Sequence, residues 1–200
     1  GGTTNITYTA STGCFVTRTV TVNPAPDAIM GGASACVGSV DTLSSSTSGG
    51  LWTSSNTSAA VIDTFTGVVN ALSAGNATIS YTLPSTGCRR TLAYTVNVIP
   101  AAISGPSMIC VGNTGTLSSA TAGQTWSSAN TSIATVGSAS STTGAVYGVA
   151  VGSTTVSYTN TFGCSRTYRT MVFNQKIVCA FFFPFCHIAF ITTDFCKRFK

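Results

Sequence analysis

Hydrophobic and polar residues alternate along short stretches of this chain, and small turn residues separate the stretches. In TLAYTVNV, the residues Leu92, Tyr94, Val96 and Val98 alternate with Ala, Thr and Asn. One face of such a segment is expected to be buried and the other to face solvent. Other stretches, such as VVNALSAG and ATISYTL, also end at Gly, Asn or Ser. The pattern predicts an all-β chain of short strands.

The same order of strands and turns occurs twice. ACVGSVDTLSSSTSGGLWTSSN is followed later by ICVGNTGTLSSATAGQTWSSAN, so that Cys36 recurs as Cys110 and Trp52 as Trp126, each 74 residues on. Six or seven short strands in a module of about 75 residues are typical of a small two-sheet sandwich. A repeated unit of this size predicts tandem sandwich modules.

The first 24 residues match the end of a module rather than its beginning. GGTTNITYTASTGCFVTRTVTVNP resembles GNATISYTLPSTGCRRTLAYTVNVIP, with Cys14 in the place of Cys88. We therefore expect four parts, which are the C-terminal hairpin of an incomplete module (1–24), two complete modules (25–100 and 101–174) and an atypical tail (175–200).

The opening hairpin should expose an apolar face made by Ile6, Tyr8, Val16, Val20 and Val22. An uncovered hairpin is marginally stable in water, and its open edges invite pairing with another chain. Two interpretations stay open: the chain is a fragment, or another subunit completes the sandwich by strand addition. The missing initiator methionine and the absence of a signal peptide favour a processed or truncated piece of a longer protein.

Charge is scarce and unevenly distributed. Only 6% of the residues are charged and the net charge is +5, but the last segment, 175–200, supplies most of that excess. The module region contains no basic stripe and no aromatic stacking platform, which argues against nucleic-acid binding. Eight cysteines without any C-x-x-C pair favour disulfides over a zinc site, and therefore an extracellular or cell-surface location.

At the level of motifs, the chain resembles a known family. The pattern W-x-S-S-N-x-S-x-A-x-V, a Gly turn, and then I/V-S-Y is similar to the bacterial Ig-like domains of group 2. These occur in tandem in adhesins such as intimin and invasin and in large secreted proteins of Bacteroidetes. The resemblance covers residues 1–174 and implies a β-sandwich with a role as a spacer or adhesive stalk. It implies no catalytic residue and no cofactor.

In an Ig-like sandwich the segment before the second strand and the last hairpin can lie at the same pole. This resemblance predicts the disulfides Cys36–Cys88 and Cys110–Cys164, which would each stabilise a small module by roughly 4 kcal/mol. Cys14 is then left without a partner in its own module. It is a candidate for a free thiol or for an intermolecular bond.

No residue pattern indicates catalysis or metal binding. His187 adjoins Cys186, but neighbouring residues on a strand point to opposite faces, which places them poorly for a nucleophile–base pair. The carboxylates are too scattered for a calcium site or a glycosidase pair. Trp52 and Trp126 could serve as sugar platforms, but their recurrence at one module position favours a role in the core, together with Tyr81 and Tyr158.

The tail has a different composition. QKIVCAFFFPFCHIAFITTDFCKRFK contains Cys179, Cys186 and Cys196 and seven of the eleven Phe residues. Its apolar run is shorter than the roughly 20 residues that a membrane helix needs. It is either a segment that docks on another subunit or not the natural continuation of the repeat, and the break in composition favours the latter.

The leading hypothesis is a non-enzymatic extracellular structural protein, a stalk, adhesin or filament component. Its partners would be adjacent Ig-like modules or other copies of the same chain. The alternatives are a module that binds carbohydrate or a host surface, and an accessory region of a larger secreted hydrolase.

Overall fold

The computed structural model describes residues 1–122, 125–138, 140 and 142–174. Within these ranges the chain forms strands and turns and no helix, which confirms the all-β prediction. No membrane-spanning helix is therefore found in this part of the chain. The chain divides into two compact units, Gly1–Val98 and a second that begins at Ile99. Each is described by itself.

The first unit contains a separate hairpin followed by seven further strands. Its strands are β1 Gly2–Thr9, β2 Phe15–Val22, β3 Ser34–Cys36, β4 Val40–Thr42, β5 Leu51–Ser54, β6 Ala60–Ile62, β7 Val68–Ala71, β8 Gly75–Thr82 and β9 Arg89–Asn97. The hairpin β1–β2 forms a sheet of its own, and β3 to β9 form two sheets with the orders β3-β9-β8-β5 and β4-β7-β6.

The second unit repeats this arrangement with one more strand. Its strands are β10 Ile103–Ser104, β11 Met108–Cys110, β12 Thr114–Ser119, β13 Thr125–Ser128, β14 Ala134–Ser138, β15 Thr143–Gly148, β16 Gly152–Thr159 and β17 Ser165–Phe173. The sheet orders are β11-β17-β16-β13 and β10-β12-β15-β14. In both units the first strand of the larger sheet, β3 or β11, pairs in parallel with the last strand, β9 or β17.

The core of each unit lies between its two sheets because the strands alternate as the sequence indicates. Along β8 the inward residues Ala77, Ile79 and Tyr81 are buried, and the residues between them are exposed or half-buried. Across the strand pair, Tyr94 and Val96 of β9 are also buried. The opposite sheet completes the hydrophobic contact, and side chains removed from water in this way supply most of the stability.

The recurring glycine of the motif is explained by its closeness to the tryptophan. Gly67 has a φ of +73°, and a Cβ atom there would lie 2.3 Å from the carbonyl oxygen of Leu43 and 3.2 Å from the Trp52 indole. At Gly144 a Cβ atom would lie 2.6 Å from the Trp126 ring. The indole packs directly on the backbone at both positions, which leaves no room for a side chain.

The recurring asparagine shapes the turn that follows the tryptophan strand. The Asn56 Oδ1 atom accepts a hydrogen bond from the Ala59 backbone N–H, and its Nδ2 donates to the carbonyl oxygen of Asn76. In the second unit Asn130 Oδ1 accepts from the Ser132 N–H. An Asn side chain that bonds the backbone two or three residues on mimics a backbone turn.

Candidate interaction surface

The hairpin β1–β2 has the same pairing register as the last two strands of the second unit. Gly2 pairs with Val22 and Tyr8 with Val16, just as Gly152 pairs with Val172 and Tyr158 with Arg166. Each residue of the hairpin is therefore matched by the residue 150 positions later. The turns that close the two hairpins have the same length.

This register shows which face of the hairpin corresponds to a module core. Tyr8 is 71% exposed and Ile6 59%, whereas their counterparts Tyr158 and Val156 are both 0% exposed. Of the residues expected on this face, Val20 is half-buried and the other four are exposed, namely Ile6, Tyr8, Val16 and Val22. The opposite face carries mostly threonine, and Thr19 there donates a hydrogen bond to the Asn5 side chain. The apolar face is the one without cover.

In the complete units a tryptophan covers the equivalent tyrosine. Trp126 and Tyr158 have ring centroids 4.4 Å apart, and the Tyr158 hydroxyl donates to the Thr121 carbonyl oxygen at 2.8 Å. Trp52 and Tyr81 repeat the contact at 4.6 Å. All four rings are buried. Both tryptophans therefore lie in the core and are not available as platforms for a sugar.

The edges of the hairpin are open as well as its face. In the complete units the equivalent of β1 pairs with the tryptophan strand, β5 or β13, and the equivalent of β2 pairs with the cysteine strand, β3 or β11. Among the described residues, β1 and β2 pair only with each other. The hairpin thus offers two unpaired edges and one apolar face.

The expected disulfide between Cys36 and Cys88 is not present, because Cys88 is free while Cys36 is disulfide-bonded. The strand register gives the reason. Cys36 lies beside Asn97 at the end of β9, and Cys88 immediately precedes the start of β9. Nine residues of extended strand separate these points by about 30 Å, far beyond the roughly 7 Å between Cα atoms that a disulfide tolerates.

The expected bond between Cys110 and Cys164 fails for the same reason. Both cysteines are disulfide-bonded, but Cys110 lies beside Phe173 at the end of β17, while Cys164 precedes its start. They are not bonded to each other. Cys14 is free and exposed, as is expected for a cysteine without a partner in its own module.

The free thiol of Cys88 lies close to the end of the hairpin. Its Sγ atom is 3.7 Å from the carbonyl oxygen of Asn23, the residue after β2. Asn23 corresponds to Asn97 and Phe173, the two residues beside which Cys36 and Cys110 lie. The reactive group and the open edge therefore meet at one point.

Sequence reasoning missed the contacts that hold each Pro-containing segment onto its unit. Arg90 Nε donates to the carbonyl oxygen of Pro26 at 3.2 Å, and Arg166 Nε donates to that of Pro100 at 3.2 Å. The recurrence of an arginine two residues after the hairpin cysteine was the available signal. In the hairpin β1–β2 the same position is occupied by Val16.

Ionisable groups in the described residues are used locally. Hydrogen bonds from the Ser46 and Thr47 hydroxyls hold the pKa of Asp27 below its ordinary value. The Thr66 backbone N–H and hydroxyl do the same for the pKa of Asp63. Burial, together with the nearby Asp41 carboxylate, raises the pKa of Tyr94 to about 12. Each group stabilises a turn or the core.

No group of three or more potential metal ligands occurs among the described residues. A shallow depression on β8 and β9 is lined mainly by small side chains such as Ser55 and Thr78, with the Tyr94 ring. It contains no carboxylate and no imidazole. His187 and the cysteines of the tail, Cys179, Cys186 and Cys196, lie outside the residues that the structure describes.

Comparison by sequence gives one family. The model described as bacterial Ig-like domain (group 2) matches residues 15–89 and 101–170. None of the curated proteins matches the chain.

Comparison by structure gives surface proteins of several kinds. Domains 4 and 5 of the S-layer protein SbsC are 20% identical, with 66% of this chain and 82% of that chain covered and a TM-score of 0.30. Of a longer SbsC segment the chain covers 24%. A fragment of intimin in complex with the intimin-binding domain of its translocated receptor is 16% identical, with 74% and 64% covered and a TM-score of 0.46.

A Bacteroides ovatus protein, SGBP-B of the mixed-linkage glucan utilization locus, in complex with a heptasaccharide, is 14% identical, with 86% and 53% covered and a TM-score of 0.29. At these identities and TM-scores, the similarities add nothing to what the family model establishes.

Proposed function

The chain belongs to the bacterial Ig-like domain family, group 2, and on this basis we propose that it is a non-enzymatic structural or adhesive repeat protein of the cell exterior. The observation that carries the proposal is that the recurring motif residues all serve the fold. Trp52 and Tyr81 pack against each other, Asn56 shapes a turn, and Gly67 leaves room for the indole. A repeat whose shared residues are all structural supports a building block.

The proposed modules are 25–100 and 101–174, preceded by the hairpin 1–24. The contacts of the Pro-containing segments support these boundaries, because Arg90 bonds Pro26 and Arg166 bonds Pro100. Both prolines are almost completely buried. Each segment is thereby fixed to the module that follows it.

The chemistry of the chain supports an extracellular location. Cys36, Cys110 and Cys164 are disulfide-bonded, and such bonds persist in oxidising surroundings. Hydroxyl groups replace charges on the exposed faces of the strands, as on β1 and β2, where seven of the sixteen residues are threonine on the outward side or beside it. A protein of this kind needs no charged site.

Surface exposure in the source organism tests the proposal. Intact cells are treated with protease, and the released peptides are identified by mass spectrometry with a cytosolic protein as the control for lysis. Peptides from residues 25–174 should be released before any cytosolic peptide. Release only after lysis would contradict an extracellular role.

A further inference from the structure

We propose that the hairpin β1–β2 is a docking surface for the first part of an Ig-like module carried by another polypeptide, and that Cys88 forms a disulfide with the cysteine of the docked segment. The inference rests on the proposed structural role, since it treats the module as a unit of assembly. Four features carry it: the open face, the two open edges and the position of the free thiol.

The face requires a tryptophan strand as its cover. The hairpin has the register of β16–β17 throughout, so its Tyr8 takes the place of Tyr158. In the second unit Trp126 lies directly opposite Tyr158 on the neighbouring strand β13. A docked segment must therefore place a strand antiparallel to β1, with an indole ring against Tyr8.

The edge of β2 requires a cysteine strand. In the complete units the residue after the cysteine donates its backbone N–H to the last residue of the hairpin, Val37 to Asn97 and Val111 to Phe173. Asn23 has the same position at the end of β2. A docked cysteine strand therefore runs parallel to β2 and brings its cysteine beside Asn23, about one strand spacing (~4.8 Å) away.

The Cys88 thiol is in place for that cysteine. Its Sγ atom lies 3.7 Å from the Asn23 carbonyl oxygen, next to where the docked cysteine would arrive. The counterparts of both partners are bonded in this chain: Cys164 corresponds to Cys88, and Cys36 and Cys110 correspond to the docked cysteine. Only the hairpin cysteines Cys14 and Cys88 are free among the described residues.

Bond formation is a two-step exchange with a disulfide oxidant such as oxidised glutathione. The Cys88 thiolate attacks the oxidant and releases one glutathione thiolate, and the docked cysteine then attacks the mixed disulfide and releases the second. Two thiols lose two protons and two electrons, and one oxidised glutathione becomes two reduced ones.

A second folded copy of this chain does not supply the missing strands. Its tryptophan strands β5 and β13 are already paired with its own β8 and β16. Arg18, the one charged residue on the apolar face, lies opposite Ile6 at the position of Leu92 and Tyr168. Both of those are half-buried, so the guanidinium group can reach solvent in the complex.

The test uses the full chain and a separate polypeptide of residues 99–150, which contains β10 to β15 with Cys110 and Trp126. The two are mixed in a glutathione redox buffer. Peptide mapping should find the probe's Cys110 joined to Cys88, and hydrogen exchange should slow at β1 and β2. Trp126→Ala in the probe should lower the cross-link yield by about tenfold or more, as for a buried aromatic anchor.

Matched variants separate docking from random thiol chemistry. Tyr8→Ser in the chain should lower the yield like Trp126→Ala, whereas Thr7→Ser on the opposite face should leave it unchanged. Equal coupling of the probe to Cys14 or the tail cysteines, insensitive to Tyr8→Ser, would overturn the proposal. So would self-association of the chain that is lost with Tyr8→Ser, since the occupant would then be a second copy.

A fused arm decides between one polypeptide and two. The probe sequence is placed directly before Gly1 in a longer chain, which restores the connection found between β15 and β16. Protection of β1–β2 and the Cys88 bond in the fused chain alone, never with the separate probe, would show that the face is filled within one polypeptide and would overturn docking. Such a result leaves the extracellular structural role intact, and that role fails separately in the protease test.

Discussion

Trp52 and Tyr81 face each other across neighbouring strands with ring centroids 4.6 Å apart, and the Tyr81 hydroxyl donates to the Thr47 carbonyl oxygen at 2.6 Å. The same hydroxyl accepts the Gly50 N–H at 2.9 Å. One side chain therefore fills the core and anchors the loop that leads into β5. The second unit repeats the contact with Trp126 and Tyr158.

Removing that hydroxyl should destabilise the first unit. Tyr81→Phe keeps the ring but leaves the Thr47 carbonyl and the Gly50 N–H without their partner, at an expected loss of about 1–3 kcal/mol. Chemical denaturation measures the loss. Tyr8→Phe is the control, because it makes the same chemical change on an exposed ring, and an equal loss in both variants would contradict the assignment.

Two glycines with the same backbone angle should respond differently to alanine. Gly67 and Gly87 both have a φ of +73°, but a Cβ atom at Gly67 would meet the Leu43 carbonyl oxygen and the Trp52 ring, while nothing lies within 4 Å at Gly87. Both variants carry the strain of a left-handed residue, of order 1 kcal/mol. Gly67→Ala adds a steric clash and should lower the melting temperature clearly further than Gly87→Ala.

Stability should fall above pH 10 because of Tyr94. Its hydroxyl donates to Asp41 at 3.2 Å, and its pKa in the folded state is raised to about 12 from an ordinary value of 10.0. The folded chain therefore keeps a proton that the unfolded chain loses in this window. The stabilisation is fully present below pH 10 and is lost as the pH rises through about 12.

Asp41→Asn tests this assignment because it removes the carboxylate but keeps the shape. The pKa of Tyr94 should then move back toward its ordinary value, which a spectrophotometric titration of phenolate against a Tyr94→Phe reference can follow. An unchanged titration in Asp41→Asn would show that Asp41 does not contribute.

The cysteines should divide into two classes on alkylation. Without reductant, Cys14 and Cys88 should be labelled in the folded chain, and Cys36, Cys110 and Cys164 should be labelled only after reduction. Peptide mapping of the unreduced chain is the measurement. A peptide that joins Cys36 to Cys88, or Cys110 to Cys164, would refute the strand register given above.

Local sequence patterns predicted much of this fold because most strands alternate and end at turn residues. VVNALSAG and ATISYTL do contain β7 and β8, and the alternation of β9 identified its buried face. The strand β3 was missed because its three residues, Ser34–Cys36, are too few to show a period. That omission led to the wrong disulfides.

Strand order is the information that a single sequence does not contain. Cys36 lies near the end of β9 because β3 pairs with it in parallel, across a separation of about sixty residues. The bonds from Arg90 to Pro26 and from Tyr94 to Asp41 also join distant parts of the chain. The exposed face of the first hairpin was accessible from the sequence because its alternation and its equivalence to later strands are local features.

The parallel pairing of the first and last strands of the larger sheet has a mechanical consequence. In residues 25–98, Pro26 is held near the start of β9 by Arg90, and the chain leaves at the far end of the same strand. Tension applied to the two ends therefore pulls β3 and β9 in opposite directions along their length. The hydrogen bonds between them are loaded together in shear rather than opened one after another, which is the stronger of the two geometries for a protein under load.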